Sequence, residues 1–161
     1  KEFLKRNGEF TVNIALIHKN NPVMGVVAVP VTGDVYYTSR DGALLKRKGV
    51  TQNLEYRGRT NLQQTGLRVV SSRSHMTEET QVFVNGLVQP SLVSSGSSLK
   101  FMMLAEGAAD VYPRYAPTME WDTAASHAIV NAVGLKVAQQ GSSEELVYNK
   151  ENLLNPGFLV S

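Results

Sequence analysis

The fold is decided by residues 120–134, which run Glu120-Trp121-Asp122-Thr123-Ala124-Ala125-Ser126-His127-Ala128-Ile129-Val130-Asn131-Ala132-Val133-Gly134. Small and aliphatic residues recur there with helical spacing: Ala124, Ala125, Ala128, Ile129, Ala132 and Val133. This spacing predicts a helix with one buried face. The glycine ends the helix, and residues 135–138 are typical of a strand that follows it.

The same alternation of strands and helices extends backwards along the chain. We predict strands at residues 67–72, 91–94 and 110–112, and helices at residues 77–86 and 97–105. An alternating pattern of this kind is typical of an α/β unit, in which a mostly parallel sheet is flanked by helices. Residues 67–161 are therefore predicted to form a C-terminal α/β domain.

The first sixty residues have a different pattern, which favours antiparallel β structure. Residues 10–17 alternate between apolar and polar side chains, residues 23–30 form a second apolar run, and Asp41-Gly42 is a hairpin signal. Residues 51–66 are polar and are predicted to be a connecting loop. The chain is thus predicted to be an α/β protein in which residues 1–60 form part of an antiparallel sheet.

Composition excludes several classes of protein. Sixteen Lys and Arg against fourteen Asp and Glu give a net charge of +2, too balanced for a dedicated nucleic-acid binder. The basic triplet at residues 46–48 is accordingly interpreted as a solvated hairpin tip. The absence of cysteine excludes disulfides, thiolate catalysis and cysteine-ligated metals, and it fits a reducing cytoplasm. No apolar run is long enough to predict a membrane span.

Two predicted strand-to-helix junctions carry side chains suited to a phosphorylated ligand, because open α/β sheets bind ligands at the carboxyl ends of their strands. In the first, residues 71–75 bring together hydroxyls, a guanidinium and the imidazole of His75. In the second, residues 94–100 place a Gly-Ser turn before a helix with Lys100 one turn in. The alternative for both is ordinary capping by serine, and the second lacks the P-loop spacing.

The third junction contains Asp122, which is predicted to stand just before a helix. It is either an ordinary N-cap or a ligand of a hard metal. Mg²⁺ requires several oxygen ligands, and Glu120 two residues away does not complete such a site. Neither remaining histidine indicates a site: His18 is predicted in a surface loop, and His127 on the polar side of its helix. No nucleophile elbow supports serine hydrolase chemistry.

Taken together, six segments closely resemble the bacterial 3′(2′),5′-bisphosphate nucleotidases, which belong to the inositol monophosphatase superfamily of metal-dependent, lithium-sensitive phosphatases. They occur in the family's order and span essentially the whole chain: residues 1–16, residues 95–101 (Ser-Gly-Ser-Ser-Leu-Lys-Phe), residues 105–107, residues 110–114 (Asp-Val-Tyr-Pro-Arg), residues 120–125 (Glu-Trp-Asp-Thr-Ala-Ala) and residues 155–158.

The resemblance implies an α+β sandwich and a Mg²⁺-dependent enzyme. The implied substrate is a small bisphosphate nucleotide, 3′-phosphoadenosine 5′-phosphate, which is hydrolysed to AMP and phosphate during sulfate assimilation. It further implies that Asp122 is a metal ligand and that the nucleotide is contacted by Ser72, His75, Gly96 and Lys100. It implies a location in the cytoplasm, or on the cytoplasmic face of the inner membrane.

The sequence also departs from the family. An Asp-Pro-Leu-Asp-Gly-Thr-like segment that precedes the position of Lys1, and a glutamate further upstream, supply the remaining metal ligands and orient the attacking water; neither is in this chain. We therefore expect no catalytic residue in this chain, no phosphatase activity from it alone, and association through an exposed sheet edge. Smaller departures at Tyr115-Ala116 and Ser126 affect substrate preference. The alternatives are an inositol monophosphatase proper and a non-catalytic nucleotide-binding module.

Overall fold

The first part of the chain folds into an antiparallel sheet of five strands in sequential order. The computed structural model describes residues 8–71 and 76–161. The strands of this sheet are β1 (Val12–His18), β2 (Asn21–Val29), β3 (Asp34–Ser39), β4 (Gly42–Arg47) and β5 (Val50–Asn53). The sheet confirms the predicted antiparallel structure, and β5 occupies residues that were predicted to belong to the connecting loop.

The hairpin turns of this sheet lie where residues with positive φ permit them. Lys19 and Asn20, with φ of 48° and 64°, join β1 to β2, and Gly42, the second residue of the predicted hairpin signal, begins β4 after the turn from β3. The basic triplet does form a hairpin tip between β4 and β5. It is only partly solvated, because Arg47 turns back to contact Asp34 at 2.8 Å and Glu106 at 2.9 Å.

The second part of the chain alternates strands and helices, as predicted. Its elements are β6 (Arg68–Ser71), α1 (Glu78–Asn85), β7 (Ser91–Ser94), α2 (Leu99–Ala105), β8 (Tyr112–Arg114), β9 (Thr118–Met119), α3 (Glu120–Ala132), β10 (Val137–Gln139), β11 (Leu154–Asn155) and β12 (Phe158–Val160). The α/β fold class is therefore confirmed.

Strand directions in this second part are mixed. β6 pairs in parallel with β7, and Val69 bridges in parallel to Val111. β12 pairs antiparallel with both β8 and β10, and β11 pairs antiparallel with β9. The mostly parallel sheet of the prediction is thus limited to the strands joined by helical crossovers, because the last strands return through irregular connections that reverse their direction.

Helix α3 lies on the five-stranded sheet and forms the centre of the core. Gly25 of β2 makes the closest crossing, since a Cβ at this position would lie 2.1 Å from the carbonyl oxygen of Ala125. One cluster of buried side chains joins the sheet, through Val27 and Leu45, to α3, through Ile129, and to β12, through Val160. The predicted boundary between residues 1–60 and 67–161 stays a prediction.

Within this helix, the prediction for His127 is wrong. It was predicted on the polar side, yet its side chain is fully buried and its Nδ1 lies 2.9 Å from the Tyr148 hydroxyl. The helix is covered on both sides, so its polar residues meet other buried polar groups. His18, by contrast, is exposed at the end of β1, as expected for a surface residue.

The sheet face directed away from α3, here called the outer face, is apolar and open. It carries Val12, Ile14 and Leu16 of β1, Met24 and Val26 of β2, Tyr37 of β3 and Leu44 of β4. β1 lies at the edge of this sheet, and Ile14 is 65% exposed. No helix among the described residues combines the length and the apolar character needed to cross a membrane.

Candidate active site

Asp122 lies in the first turn of α3. The sequence predicted that this aspartate stands just before the helix. The helix begins at Glu120, so Asp122 lies inside it. Its Oδ2 accepts a hydrogen bond of 2.9 Å from the backbone N–H of Met119, and the residue is exposed. The bond holds the carboxylate at the positive end of the helix dipole, which favours a negative charge there.

The carboxylate of Glu120 is held by hydrogen bonds from Asn149 and Lys150. Its Oε1 accepts hydrogen bonds from the side chain and backbone nitrogens of Lys150, at 2.5 and 3.1 Å, and its Oε2 accepts one of 2.8 Å from the backbone of Asn149. Burial raises the pKa of Glu120, but the hydrogen bonds from Lys150 and Asn149 outweigh burial and the net pKa is lowered. The expectation that Glu120 does not complete a metal site with Asp122 stays a prediction.

Lys100 is a buried cation in α2. Only 8% of the residue is exposed, and its Nζ lies 3.5 Å from the carbonyl oxygen of Ser97 and 5.9 Å from the ring centre of Tyr112. A buried ammonium is costly unless its surroundings stabilise the charge. The carbonyl and the aromatic face supply part of this stabilisation, and an anion bound nearby would add to it.

Gly96 lies in the turn before α2, against the N-terminal part of the chain. A Cβ at this glycine would lie 2.5 Å from Oε2 of Glu9, so any larger residue would displace that side chain. Ser97 adopts a positive φ of 47°, and its hydroxyl lies 2.8 Å from that of Thr11. The Gly-Ser turn is therefore held by residues that precede β1.

Tyr112 of β8 is the buried aromatic residue that Lys100 faces. Its ring packs edge-on against Phe101 and Phe158, with centroid distances of 5.3 and 5.8 Å. Burial raises the pKa of Tyr112 to about 12, Arg114 lowers it, and Asp122 raises it. Arg114 and Asp122 are therefore the charged groups that act on the Tyr112 hydroxyl, while the Lys100 ammonium faces its ring.

Arg114 borders Tyr112 and was not among the predicted site residues, although it belongs to the segment 110–114. It ends β8, donates from Nη2 to the carbonyl oxygen of Pro117 at 3.5 Å, and borders a small cleft with Ser71, Tyr112 and Tyr115. Its buried Nε has no hydrogen-bond partner among the described residues. The available signal was its position just after the strand predicted at residues 110–112, because open α/β sheets bind ligands at the carboxyl ends of their strands.

Ser72 and His75 lie outside the described residues, so their predicted contact with a nucleotide stays a prediction. Of the predicted residues that the structure describes, Lys100 lies beside Tyr112, Gly96 lies four positions before Lys100, and Asp122 lies in the first turn of α3. Within residues 8–71 and 76–161, no group of three or more His, Asp or Glu side chains could hold a metal ion. By themselves, these residues do not fit a complete magnesium site, because they offer the single carboxylate of Asp122.

Comparison with known proteins agrees with this fold. The sequence profile of the inositol monophosphatase family matches residues 1–157, which is nearly the entire chain. The chain belongs to the inositol monophosphatase family.

Within this family, the chain is similar to bacterial bisphosphate nucleotidases. It is 46% identical to the 3′(2′),5′-bisphosphate nucleotidase CysQ of Salmonella typhimurium, with 100% of this chain and 63% of that protein covered. It is 45% identical to the protein of the same name from Escherichia coli K12, with the same coverage. The chain therefore spans just under two thirds of the length of these relatives.

Solved structures of similar proteins have the same fold. The crystal structure of CysQ from Bacteroides thetaiotaomicron superposes with a TM-score of 0.85 at 47% identity, covering 99% of this chain and 65% of that one. Mycobacterium tuberculosis SuhB superposes with a TM-score of 0.72 at 21% identity, covering 99% of this chain and 60% of its own, which shows a common fold alone.

Proposed function

We propose that this chain is the larger, C-terminal part of a 3′(2′),5′-bisphosphate nucleotidase, which hydrolyses 3′-phosphoadenosine 5′-phosphate to AMP and phosphate during sulfate assimilation. The observation that carries the proposal is the pair of cations beside Tyr112: the buried Lys100 ammonium lies 5.9 Å from its ring centre, and Arg114, two positions along β8, has a buried Nε without a hydrogen-bond partner among the described residues. The 46% sequence identity to a 3′(2′),5′-bisphosphate nucleotidase of Salmonella typhimurium supports this substrate class over inositol phosphates.

The charges of the site suit the parts of such a substrate. Two cations can neutralise phosphate oxygens, and the planar guanidinium of Arg114 can bind two of them at once. Gly96 in the Gly-Ser turn, together with Ser72 and His75, which follow β6 in the sequence, is proposed to contact the nucleotide.

Asp122 is proposed to be one ligand of Mg²⁺. When bound, this ion would stabilise negative charge on the phosphoryl group and activate water for its attack. The other ligands are proposed to come from a segment that is not part of this chain. A cation held by one carboxylate and water is weakly bound and poorly positioned. The 161-residue chain alone is therefore expected to be inactive.

Activity can be tested by complementation. Phosphate release from 3′-phosphoadenosine 5′-phosphate is measured with the chain alone, and then with the segment of the Salmonella typhimurium relative that lies outside the match. We expect no turnover from the chain alone and Mg²⁺-dependent turnover after complementation, which Asp122→Asn abolishes. Inositol monophosphate serves as the comparison substrate, and its faster hydrolysis would contradict the proposal. Robust turnover by the chain alone would show that the metal site has been misplaced.

Nucleotide binding can be tested without turnover. Because Lys100 is buried beside Tyr112, Lys100→Met keeps most of the side-chain volume and removes the charge. We expect the Kd of AMP to rise about tenfold or more, as for the loss of a charge-assisted bond. Lys46→Met, at an exposed residue of β4, is the control and should leave the Kd unchanged. AMP binding that never depends on Mg²⁺, even after complementation, would favour the non-catalytic module.

The edge strand β1 is proposed to be a site of association. Its outward backbone groups have no neighbouring strand among the described residues, and an unpaired edge is a ready template for another strand. The second strand would come from a complementing segment or from another copy of the chain. The cytoplasmic location expected from the sequence stays a prediction.

A further inference from the structure

A chain of buried polar side chains runs beneath the first half of α3. The His127 Nδ1 lies 2.9 Å from the Tyr148 hydroxyl, which lies 3.2 Å from the hydroxyl of Thr123. The Thr123 hydroxyl is in turn 3.2 Å from the carbonyl oxygen of Glu120, and it accepts a hydrogen bond of 2.9 Å from Nδ2 of Asn155. Thr123 is adjacent to Asp122, so this series of hydrogen bonds ends beneath the turn that carries the proposed metal ligand.

The proton positions in this series of hydrogen bonds follow from which groups can donate a proton and which can only accept one. A carbonyl oxygen only accepts, so the Thr123 proton is directed at Glu120. The Tyr148 hydroxyl then donates its single proton to Thr123. For the remaining contact to be a hydrogen bond, Nδ1 of His127 must carry a proton and donate it to Tyr148. This is the one set of directions that completes all the bonds.

The other side of the imidazole faces a carboxylate. Nε2 of His127 lies 3.9 Å from Oε2 of Glu145, which also accepts a hydrogen bond of 3.3 Å from Asn131. The second carboxylate oxygen of Glu145 is 2.9 Å from Nζ of Lys136. If the ring is also protonated on Nε2, that second proton points at Glu145. The proton on Nδ1 is present in both the neutral and the doubly protonated ring.

We infer that His127 is a positioning residue for Asp122. The imidazole, with its proton on Nδ1, orients the hydroxyls of Tyr148 and Thr123 and thereby fixes the first turn of α3, including the carboxylate that accepts from Met119. The bearing of this role on phosphate chemistry rests on the proposed function, in which Asp122 binds the metal. The orientation of the turn itself does not depend on a metal.

The tautomer is tested directly by NMR on the ¹⁵N-labelled 161-residue chain. Long-range ¹H–¹⁵N correlations of the His127 ring distinguish a protonated Nδ1 from a protonated Nε2. We expect a proton on Nδ1 that exchanges slowly with water, because the side chain is completely buried. A neutral ring protonated on Nε2 would overturn the inference.

Positioning is tested by amide hydrogen exchange in three variants. Two of them replace His127 by an amide side chain that reaches the place of one or the other ring nitrogen. In His127→Asn, the side-chain amide can donate from the place of Nδ1, whereas in His127→Gln it reaches the place of Nε2. Tyr148→Phe removes the central hydroxyl and leaves the imidazole intact. We expect the amides of Met119 and Thr123 to exchange about tenfold faster in His127→Gln and in Tyr148→Phe, while His127→Asn stays close to the parent.

The amides of Ile129 and Val130, in the later turns of α3, provide the internal reference. Equal acceleration along the whole helix would mean a general loss of stability and would overturn the positioning role. A Mg²⁺ titration of the complemented parent protein is a separate measurement. If the first turn responds as expected but Asp122 binds no Mg²⁺, the proposed function fails and the positioning of the turn stands.

Discussion

Asn20 and Tyr148 are joined by two hydrogen bonds. The backbone N–H of Tyr148 donates to the Asn20 carbonyl at 2.9 Å, and Nδ2 of Asn20 donates to the Tyr148 carbonyl at 2.6 Å. The tip of the β1–β2 hairpin thus holds the segment that places the Tyr148 side chain beneath α3. A residue of the sheet and a residue of the C-terminal part of the chain are fixed together, 128 positions apart.

The first prediction concerns this contact. Asn20→Gly tolerates the φ of 64° but removes the side-chain hydrogen bond, and it should lower the free energy of unfolding by about 1 kcal/mol. Asn20→Ala also strains the backbone and should cost about 2 kcal/mol. Urea unfolding at neutral pH measures both. Lys19→Gly is the control, since Lys19 shares the positive φ and is exposed; this variant should be no less stable than the parent.

The second prediction concerns the crossing of β2 and α3. Gly25→Ala places a Cβ 2.1 Å from the Ala125 carbonyl oxygen, and neither backbone can move away without opening the core. We expect a loss of more than about 3 kcal/mol, at or beyond the upper end of the cost of overpacking. Thermal unfolding followed by circular dichroism measures it. Gly86→Ala, where the nearest atom is at an ordinary 3.4 Å, should change stability by less than about 1 kcal/mol.

The third prediction concerns acid stability. The neighbouring His127 ring and the Lys136 ammonium lower the pKa of Glu145 from 4.5 to about 2. A lowered pKa means that the folded state favours the carboxylate, so this contribution is complete above about pH 5. It is lost as the pH falls from the unfolded value towards 2. It amounts to about 1–3 kcal/mol after allowance for partial exposure.

Glu145→Gln should remove this part of the pH dependence. Urea unfolding of the parent and the variant between pH 7 and pH 3 provides the measurement, and the two free energies should converge as the pH falls. Glu144→Gln, a neighbouring exposed carboxyl, should leave the parent profile unchanged. A constant difference between parent and Glu145→Gln across this range would contradict the prediction.

The fourth prediction concerns the outer face of the sheet. Ile14 is 65% exposed and lies opposite Val26 in the adjacent strand, so Ile14→Lys introduces a charge in the middle of the apolar surface. We expect the parent to associate at micromolar concentrations and this variant to be more monomeric, as measured by sedimentation velocity. Val50→Lys is the control, because Val50 is equally exposed at 65% but lies off that face. An equal effect of both substitutions would contradict the role of the outer face.

Local sequence patterns were sufficient for most of the fold. β7 occupies residues 91–94, as predicted, and the alternation in residues 10–17 produced β1, because half-buried strands must alternate. The start of α3 was misplaced by about a turn. Met119, which is not a typical capping residue, precedes the helix, and the carboxylate that binds its backbone comes from within the first turn.

The site required contacts that no local pattern contains. The burial of Lys100 depends on Tyr112, twelve residues later, and that of His127 on Tyr148, twenty-one residues later. A polar residue on a helix is expected to be exposed to solvent only when one side of the helix is left uncovered. The second side of α3 is covered by the C-terminal segment, whose irregular sequence from residue 139 to residue 157 gave no sign of this packing.

The open outer face has a consequence for how the protein responds to temperature. Contacts between apolar surfaces are driven near 25 °C mainly by the entropy of water, and they weaken on cooling. Association through Ile14 and its neighbours should therefore decrease in the cold and increase with sulfate, whereas contacts between charged surfaces would weaken with added salt. Chilled, low-salt buffer is thus the condition in which the single chain can be observed, and warming is the simplest way to bring copies together.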